Sequence, residues 1–159
     1  MVKEKKFLIT TALEESWVDN QPALFLGEWC RIYSRKDKWL RMDANVLPYH
    51  WSQTDRLKSD YKYVNDLYES TLGVLVNSLN NIHKVNHSPK YWRVLIGPWI
   101  AVLIHVLYDR WLSIQNALDS YEYTGTIALD INKDLIVAND LEEFDNIIGT
   151  DEWNHSIYL

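Results

Sequence analysis

The sequence contains one cysteine, five glycines and four prolines among 159 residues. A single cysteine excludes an internal disulfide framework and is typical of proteins in a reducing compartment. Five glycines leave little material for a phosphate-binding loop, and the glycine-rich, zinc-binding and serine-hydrolase motifs of common enzymes are missing from the sequence. The sequence therefore predicts neither a nucleotide-binding loop nor a metal site in this segment.

Basic residues are also few relative to acidic ones. The chain has 16 Lys and Arg against 22 Asp and Glu, which gives a net charge of −6. A scattered basic complement of this size argues against nucleic-acid binding. One basic cluster predicts either a contact with an anionic substrate or a solvated turn; its members are Arg31, Arg35, Lys36, Lys38 and Arg41.

A very long apolar run is missing as well. Residues 94–108 contain no acid and no fixed cation, but a membrane span takes about 20 apolar residues. Pro98 and His105 lie inside the run, and Arg93 and Asp109 close it. We therefore expect a buried core helix and no transmembrane segment, with peripheral membrane contact of this helix as the alternative.

Two short apolar runs begin the chain, FLITTAL (7–13) and PALFLG (22–27). The first is too short for the core of a signal peptide, so we expect a cytoplasmic protein. Continuous rather than alternating apolar residues predict strands covered on both faces, as in a parallel α/β sheet. The connection is short for a crossover helix, so the pattern does not establish that the strands are neighbours. Residues 30–51 are interpreted as a loop.

Helical periodicity dominates the middle of the chain. Apolar residues at steps of three to five predict a helix from Ser52 or Thr54 to about Ile82, and a second from Pro89 to about Leu118 with a kink at Gly97–Pro98. Together they predict an antiparallel hairpin over 52–120, after strands and a loop over 6–51.

The segment 121–159 has mixed strand and helix character. TIALDI (126–131) predicts a strand, DLIVA (134–138) an extended piece and 140–148 a helix. Thr150 predicts the N-cap of a last helix, whose apolar face has only begun at Leu159. We interpret the chain as one α/β domain at the N-terminal side of a longer protein.

Carboxylates follow both predicted strands. Glu14 and Glu15 come after the first strand, and Glu28 and Trp29 after the second. Ligands of open α/β sheets bind outside the carboxyl ends of the strands, so these residues predict either a site where carboxylates bind sugar hydroxyls and one of them acts as a general base, or ordinary caps and salt bridges. Cys30, beside Arg31, predicts either an activated thiol or an inert buried one.

Further candidates lie around the helices. His50 and Trp51, in LPYHW, predict a titratable group at the lip of a site or a packing spacer. Arg93 is either a phosphate or carboxylate contact or a helix-end cation. His105, Asp109 and Arg110 interrupt an apolar helix, where a structural buried pair is the alternative to a binding role.

Five blocks, in the order in which they occur, resemble a family of bacterial transferases linked to surface-carbohydrate (polysaccharide) biosynthesis. The blocks are FLITTALEESW, ALFLGEWCRIYS, LPYHW, YWRVLIGPW with VLYDRW, and DEWNH. The resemblance extends from Phe7 to about Tyr158. It implies the N-terminal half of a longer, two-domain, GT-B-like enzyme with Rossmann-like halves.

The resemblance also implies that the two domains bind different substrates. The missing C-terminal domain would bind a nucleotide-activated donor, and this segment would contact a carbohydrate or lipid-linked acceptor at the inner face of the membrane. Catalysis then falls to Glu28 or His50, and binding to the residues Glu14, Glu15, Trp29, Trp51, Arg93, Asp109 and Arg110. The alternative is a non-enzymatic interaction module whose aromatic hairpin, with Trp92, Trp99 and Trp111, docks a partner protein.

Overall fold

A computed structural model describes residues 4–158. The chain divides into two compact units, the first built from residues 4–50 and 110–158 and the second from Trp51–Asp109. Within the described residues its class is α/β: a four-stranded parallel sheet accompanies five helices, and helix predominates.

The sheet lies in the first unit. Its strands are β1 (Lys5–Ile9), β2 (Ala23–Phe25), β3 (Ala44–Val46) and β4 (Glu122–Gly125), arranged in the order β3-β2-β1-β4 with every pair parallel. The predicted strands β1 and β2 are confirmed, and they are direct neighbours, with Phe7 opposite Ala23. Apart from the exposed Lys5, both are buried, as continuous apolar runs require.

Two expectations about the sheet are wrong. Residues 30–51 are not only loop, because they contain β3 and the short helix α1 (Lys36–Trp39). The segment 126–131 is not a strand: β4 ends at Gly125, and the Leu129 N–H donates to a histidine side chain, His155 Nε2, over 3.0 Å. This backbone N–H is therefore bonded to a side chain and not to a neighbouring strand.

The region after Leu129 is turn and helix. Residues 134–138 are not extended, because a 3₁₀ turn occupies Lys133–Leu135, with Asn132 Oδ1 accepting from the Asp134 N–H. The last two helices, α4 (Leu141–Ile147) and α5 (Asp151–Tyr158), are confirmed. Thr150 is the N-cap that the sequence predicts, since its Oγ1 accepts from the Trp153 N–H.

The chain has two long helices, α2 (Thr54–His83) and α3 (Pro89–Ser120). The second unit contains all of α2 and the part of α3 up to Asp109, and residues 110–120 of α3 belong to the first unit. Near the turn, Trp92 of α3 contacts Asn80 of α2, and far from the turn Tyr108 contacts Asp60. Later residues of α3 therefore contact earlier residues of α2. This is an antiparallel hairpin, as predicted. Lys84, in the left-handed region with φ of 54°, ends α2.

Burial of α3 differs from the expectation. By length and composition α3 is apolar enough to cross a membrane, yet only 17% of its most apolar window is buried. The core helices of soluble proteins pass the same length test, but they are mostly buried. The prediction of a buried core helix therefore describes the side of α3 that packs on α2, through Trp92, Ile96 and Ile100, and the last part of the helix, where Leu112 and Ala117 are buried.

Candidate functional site

The glycine that ends β2 allows a tryptophan to fold back over the sheet. A Cβ atom at Gly27 would overlap the six-membered ring of Trp29. Without it, the Trp29 Nε1–H donates to the Thr10 carbonyl at the end of β1 over 3.0 Å. The indole also lies parallel to the Tyr158 ring, with centroids 6.4 Å apart. The sequence GEWC therefore places an aromatic surface at the carboxyl edge of the sheet.

The last helix, α5, is tied to that same edge. The Ala12 N–H, just past β1, donates to Asp151 Oδ1 over 3.1 Å. The other Asp151 oxygen faces Arg35 Nη1 at 3.9 Å. Both contacts fix the first turn of α5 against residues more than a hundred positions earlier in the chain.

His155 is fully buried and fastens α5 a second time. Its Nε2 accepts from the Leu129 N–H, so the ring proton is on Nδ1, which faces Thr11 Oγ1 at 3.4 Å. Burial lowers the pKa of His155, while the nearby Asp151 carboxylate opposes this shift with a smaller effect. The neutral imidazole is the form that fits, because a proton on Nε2 would face an N–H donor.

A cavity of about 310 Å³ lies beside these contacts in the first unit. Its walls combine the Trp29 and Tyr158 rings with three polar side chains, Arg110, Asp151 and Asn154. Arg110 is held in place because its Nε donates to Asn154 Oδ1 over 2.7 Å. Rings, a cation, a carboxylate and an amide around one cavity are suited to a polar ligand with an apolar face and an anionic group.

Of the predicted site residues, Trp29 and Arg110 meet at this cavity. Glu28 does not line it: the carboxylate is 73% exposed and pairs with Arg31 at Oε1···Nη2 2.7 Å. His50 is buried, with its ring 4.6 Å from that of Tyr49. The catalytic roles of Glu28 and His50 stay predictions.

The other early carboxylates form part of a charged surface. Glu14 pairs with Arg35 at 3.4 Å and with Lys38 at 3.3 Å, and Glu15 is exposed. The basic cluster is therefore engaged by acids at Arg31, Arg35 and Lys38. The two alternatives for the cluster, a contact with an anionic substrate and a solvated turn, both stay predictions.

Three predicted residues belong to the second unit. The Trp51 Nε1–H donates to Asp60 Oδ2 over 2.9 Å. Arg93 makes two bonds to Glu69, of 2.7 and 2.6 Å, and this pairing raises the pKa of Arg93 and lowers the pKa of Glu69. Asp109 is buried. The Arg93 guanidinium is thus paired with a carboxylate of α2, and its binding role stays a prediction.

A family model settles the class of protein. The model described as LIC12162 family transferase matches residues 6–159. The chain belongs to this family. Comparisons with the curated proteins and with the solved structures give no significant match. The transferase part of the resemblance seen in the sequence is confirmed.

In this member of the family, α5 supplies candidate site residues that the sequence did not single out. Asp151, Asn154 and Tyr158 line the cavity, and all lie in or beside the block DEWNH. That block carried the family resemblance but was interpreted only as an amphipathic helix. The signal in the sequence was the spacing of Asp151 and Asn154, because residues three apart lie on the same face of a helix.

The surroundings of Cys30 favour the inert alternative for this thiol. It is fully buried, its Sγ lies 3.5 Å from the Ile9 carbonyl, and burial raises its pKa to about 12. We expect Ellman's reagent at pH 8 to modify the native protein at least about 100-fold more slowly than the protein in 8 M urea, because both thiolate and access are lacking. Complete modification of the native protein within minutes would contradict this.

Proposed function

We propose that this chain is the acceptor-side domain of a glycosyl- or polyol-phosphate-type transferase in bacterial surface polysaccharide biosynthesis. The observation that carries the proposal is the cavity at the carboxyl edge of the sheet, with Trp29 and Tyr158 facing Arg110, Asp151 and Asn154. A sugar or polyol stacks its apolar face on the rings and gives its hydroxyls to Asp151 and Asn154, while Arg110 contacts a phosphate or carboxylate.

We extend the proposal to the donor domain, the catalytic base and the location of the reaction. A C-terminal domain completes a GT-B-like, two-domain arrangement and binds a nucleotide-activated donor. Glu28 or His50 removes the proton from the acceptor hydroxyl. The reaction takes place in the cytoplasm, at the inner face of the membrane. Family membership supports the transfer chemistry, and the cavity supports the acceptor side.

Binding of a sugar phosphate tests the cavity directly. We expect glucose 1-phosphate, followed by ¹H–¹⁵N NMR of the labelled chain, to shift the indole N–H signal of Trp29. Arg110→Gln keeps a side chain that can hydrogen-bond Asn154 but removes the charge. It should weaken glucose 1-phosphate binding about tenfold, because a charge-assisted hydrogen bond contributes about 1.5–3 kcal/mol.

Two controls make the experiment specific. Lys133→Gln removes an exposed cation of the first unit that is outside the cavity, and it should leave binding unchanged. Uncharged glucose should bind Arg110→Gln and the wild type within about twofold of each other. Absence of any Trp29 shift, or equal effects of Arg110→Gln and Lys133→Gln, would overturn the acceptor site.

A further inference from the structure

Acidic residues are missing from one part of the chain. Between Glu69 and Asp109 the sequence has no Asp or Glu, although the whole chain has 22 and a net charge of −6. The cations of this stretch are Lys84, Lys90 and Arg93. Arg93 pairs with Glu69, while Lys84 and Lys90 are exposed on either side of the hairpin turn. The tip of the hairpin is thus positively charged in an acidic protein.

Near the turn, the outer face of α2 is mixed in polarity and that of α3 is apolar. Toward each other, α2 and α3 pack through a core that includes Leu72, Trp92 and Ile100. The outer face of α2 exposes Asn77, Ser78 and Asn81 beside the apolar Val74 and Ile82. The outer face of α3 exposes what we call the apolar strip, which consists of Tyr91, Val94, Leu95 and Pro98.

The apolar strip is strongly exposed and free of charge. Val94 is 71% exposed and Leu95 56%. Fixed charges do not resume along α3 until Asp109. A face of this kind costs free energy in water, by about 25 cal/mol for each Å² of apolar surface.

The cation of Lys90 lies beside the apolar strip. A depression of about 380 Å³ is lined by Ser88, Lys90, Tyr91, Val94 and Leu95. An ammonium group, an aromatic ring with a hydroxyl tip and two aliphatic side chains suit the boundary between lipid headgroups and acyl chains. Ile82, 71% exposed, adds a further apolar side chain near the turn.

We propose that the tip of the hairpin and the apolar strip dock on the surface of a bilayer containing anionic lipid. Lys84 and Lys90 supply electrostatic attraction to the headgroups, and the strip inserts its apolar side chains below them. The charge of the tip selects this partner, since a second copy of the chain would bring cations of the same sign to the same patch. The proposal rests on the hairpin alone and is independent of the acceptor cavity.

Vesicle flotation tests the docking. We expect the chain to float with vesicles of 70% phosphatidylcholine and 30% phosphatidylglycerol, and at least about fivefold less with pure phosphatidylcholine or in 0.5 M NaCl. Val94→Asp should lower the partition coefficient about tenfold or more. Its matched control is Val137→Asp, a valine of the first unit that is 62% exposed, which should float like the wild type.

A second pair of variants tests the charges. Lys84→Asn with Lys90→Glu lowers the net charge by three units and keeps a residue that tolerates the left-handed backbone at position 84. It should reduce flotation about tenfold or more, because each cation near an anionic surface contributes about 1 kcal/mol. The control, Lys58→Glu with Lys133→Gln, makes the same change in charge at exposed lysines elsewhere and should float normally.

Four outcomes would overturn the proposal. The first is no flotation with the anionic vesicles. The second is flotation that Val94→Asp and its control reduce equally. The third is a concentration-dependent dimer, abolished by Val94→Asp, in a protein that does not float, because the strip would then be an interface between two copies. Chain that stays with membranes after alkaline carbonate extraction would replace surface docking with spanning.

Discussion

Replacing His155 with alanine is expected to lower the free energy of unfolding by about 3–4 kcal/mol, a large part of the stability of a domain of this size. The variant leaves the Leu129 N–H without its acceptor and removes the partner of Thr11 Oγ1. It also opens a cavity at a fully buried position. Lost buried hydrogen bonds and lost packing each contribute. Urea denaturation followed by circular dichroism measures the change.

The matched control is His83→Ala, an exposed histidine at the end of α2, which should change stability by less than about 0.5 kcal/mol. His155→Gln retains an amide that can accept from Leu129 and donate to Thr11, and it should recover part of the loss. Equal stability of His155→Ala and the control would show that the buried imidazole does not hold α5 in place.

The same histidine makes stability depend on pH. The pKa of His155 is lower in the folded protein than its ordinary value near 6.5. Above pH 6.5 both the folded and the unfolded states hold it neutral, so stability is fully present. As the pH falls below 6.5, the unfolded state binds the proton first, and stability declines until the folded-state pKa has been passed. The decline should be smaller in His155→Gln, measured by urea denaturation between pH 7.5 and 5.

Alanine at Gly27 is expected to destabilise the protein by about 1–3 kcal/mol. The added methyl group would occupy space filled by the Trp29 ring. The indole must then leave its hydrogen bond to Thr10 and its stacking on Tyr158. Because Trp29 lines the cavity, affinity for glucose 1-phosphate should fall as well, about tenfold, in the NMR titration.

A second glycine provides the control. Gly73 is exposed within α2, and a Cβ atom there would meet nothing within 4 Å. Gly73→Ala should stabilise the protein by about 0.5–1 kcal/mol, since alanine favours the helix. If Gly27→Ala is as stable as the wild type and keeps the Trp29 indole signal, the close approach of the two residues is not required.

Elements whose signals are local could be predicted from the sequence. Strands β1 and β2 follow from continuous apolar runs, and α2 and α3 from long helical periodicity. The three-residue strand β3 gives no run to detect. The segment 126–131 has the composition of a strand, but the hydrogen bond between Leu129 and His155 is made 26 residues away, and no local pattern contains it.

The site was predictable to the same extent. Trp29 and Arg110 stand out locally, one after a strand and the other as a cation in an apolar helix. Asp151 and Asn154 become site residues only because α5 returns to β1. The sequence shows their helix but not where it packs.

The first unit is interrupted in the sequence by the second, and this order affects how the chain folds during synthesis. Strands β1 to β3 leave the ribosome first, but β4 and α5 emerge only after the whole hairpin. The hairpin joins residues that are much closer in sequence than Ala12 and Asp151 are. It can therefore form early, whereas the sheet can be completed only after β4 has been synthesised. Until then, β1 has an unpaired edge, the kind of surface on which nascent chains pair wrongly.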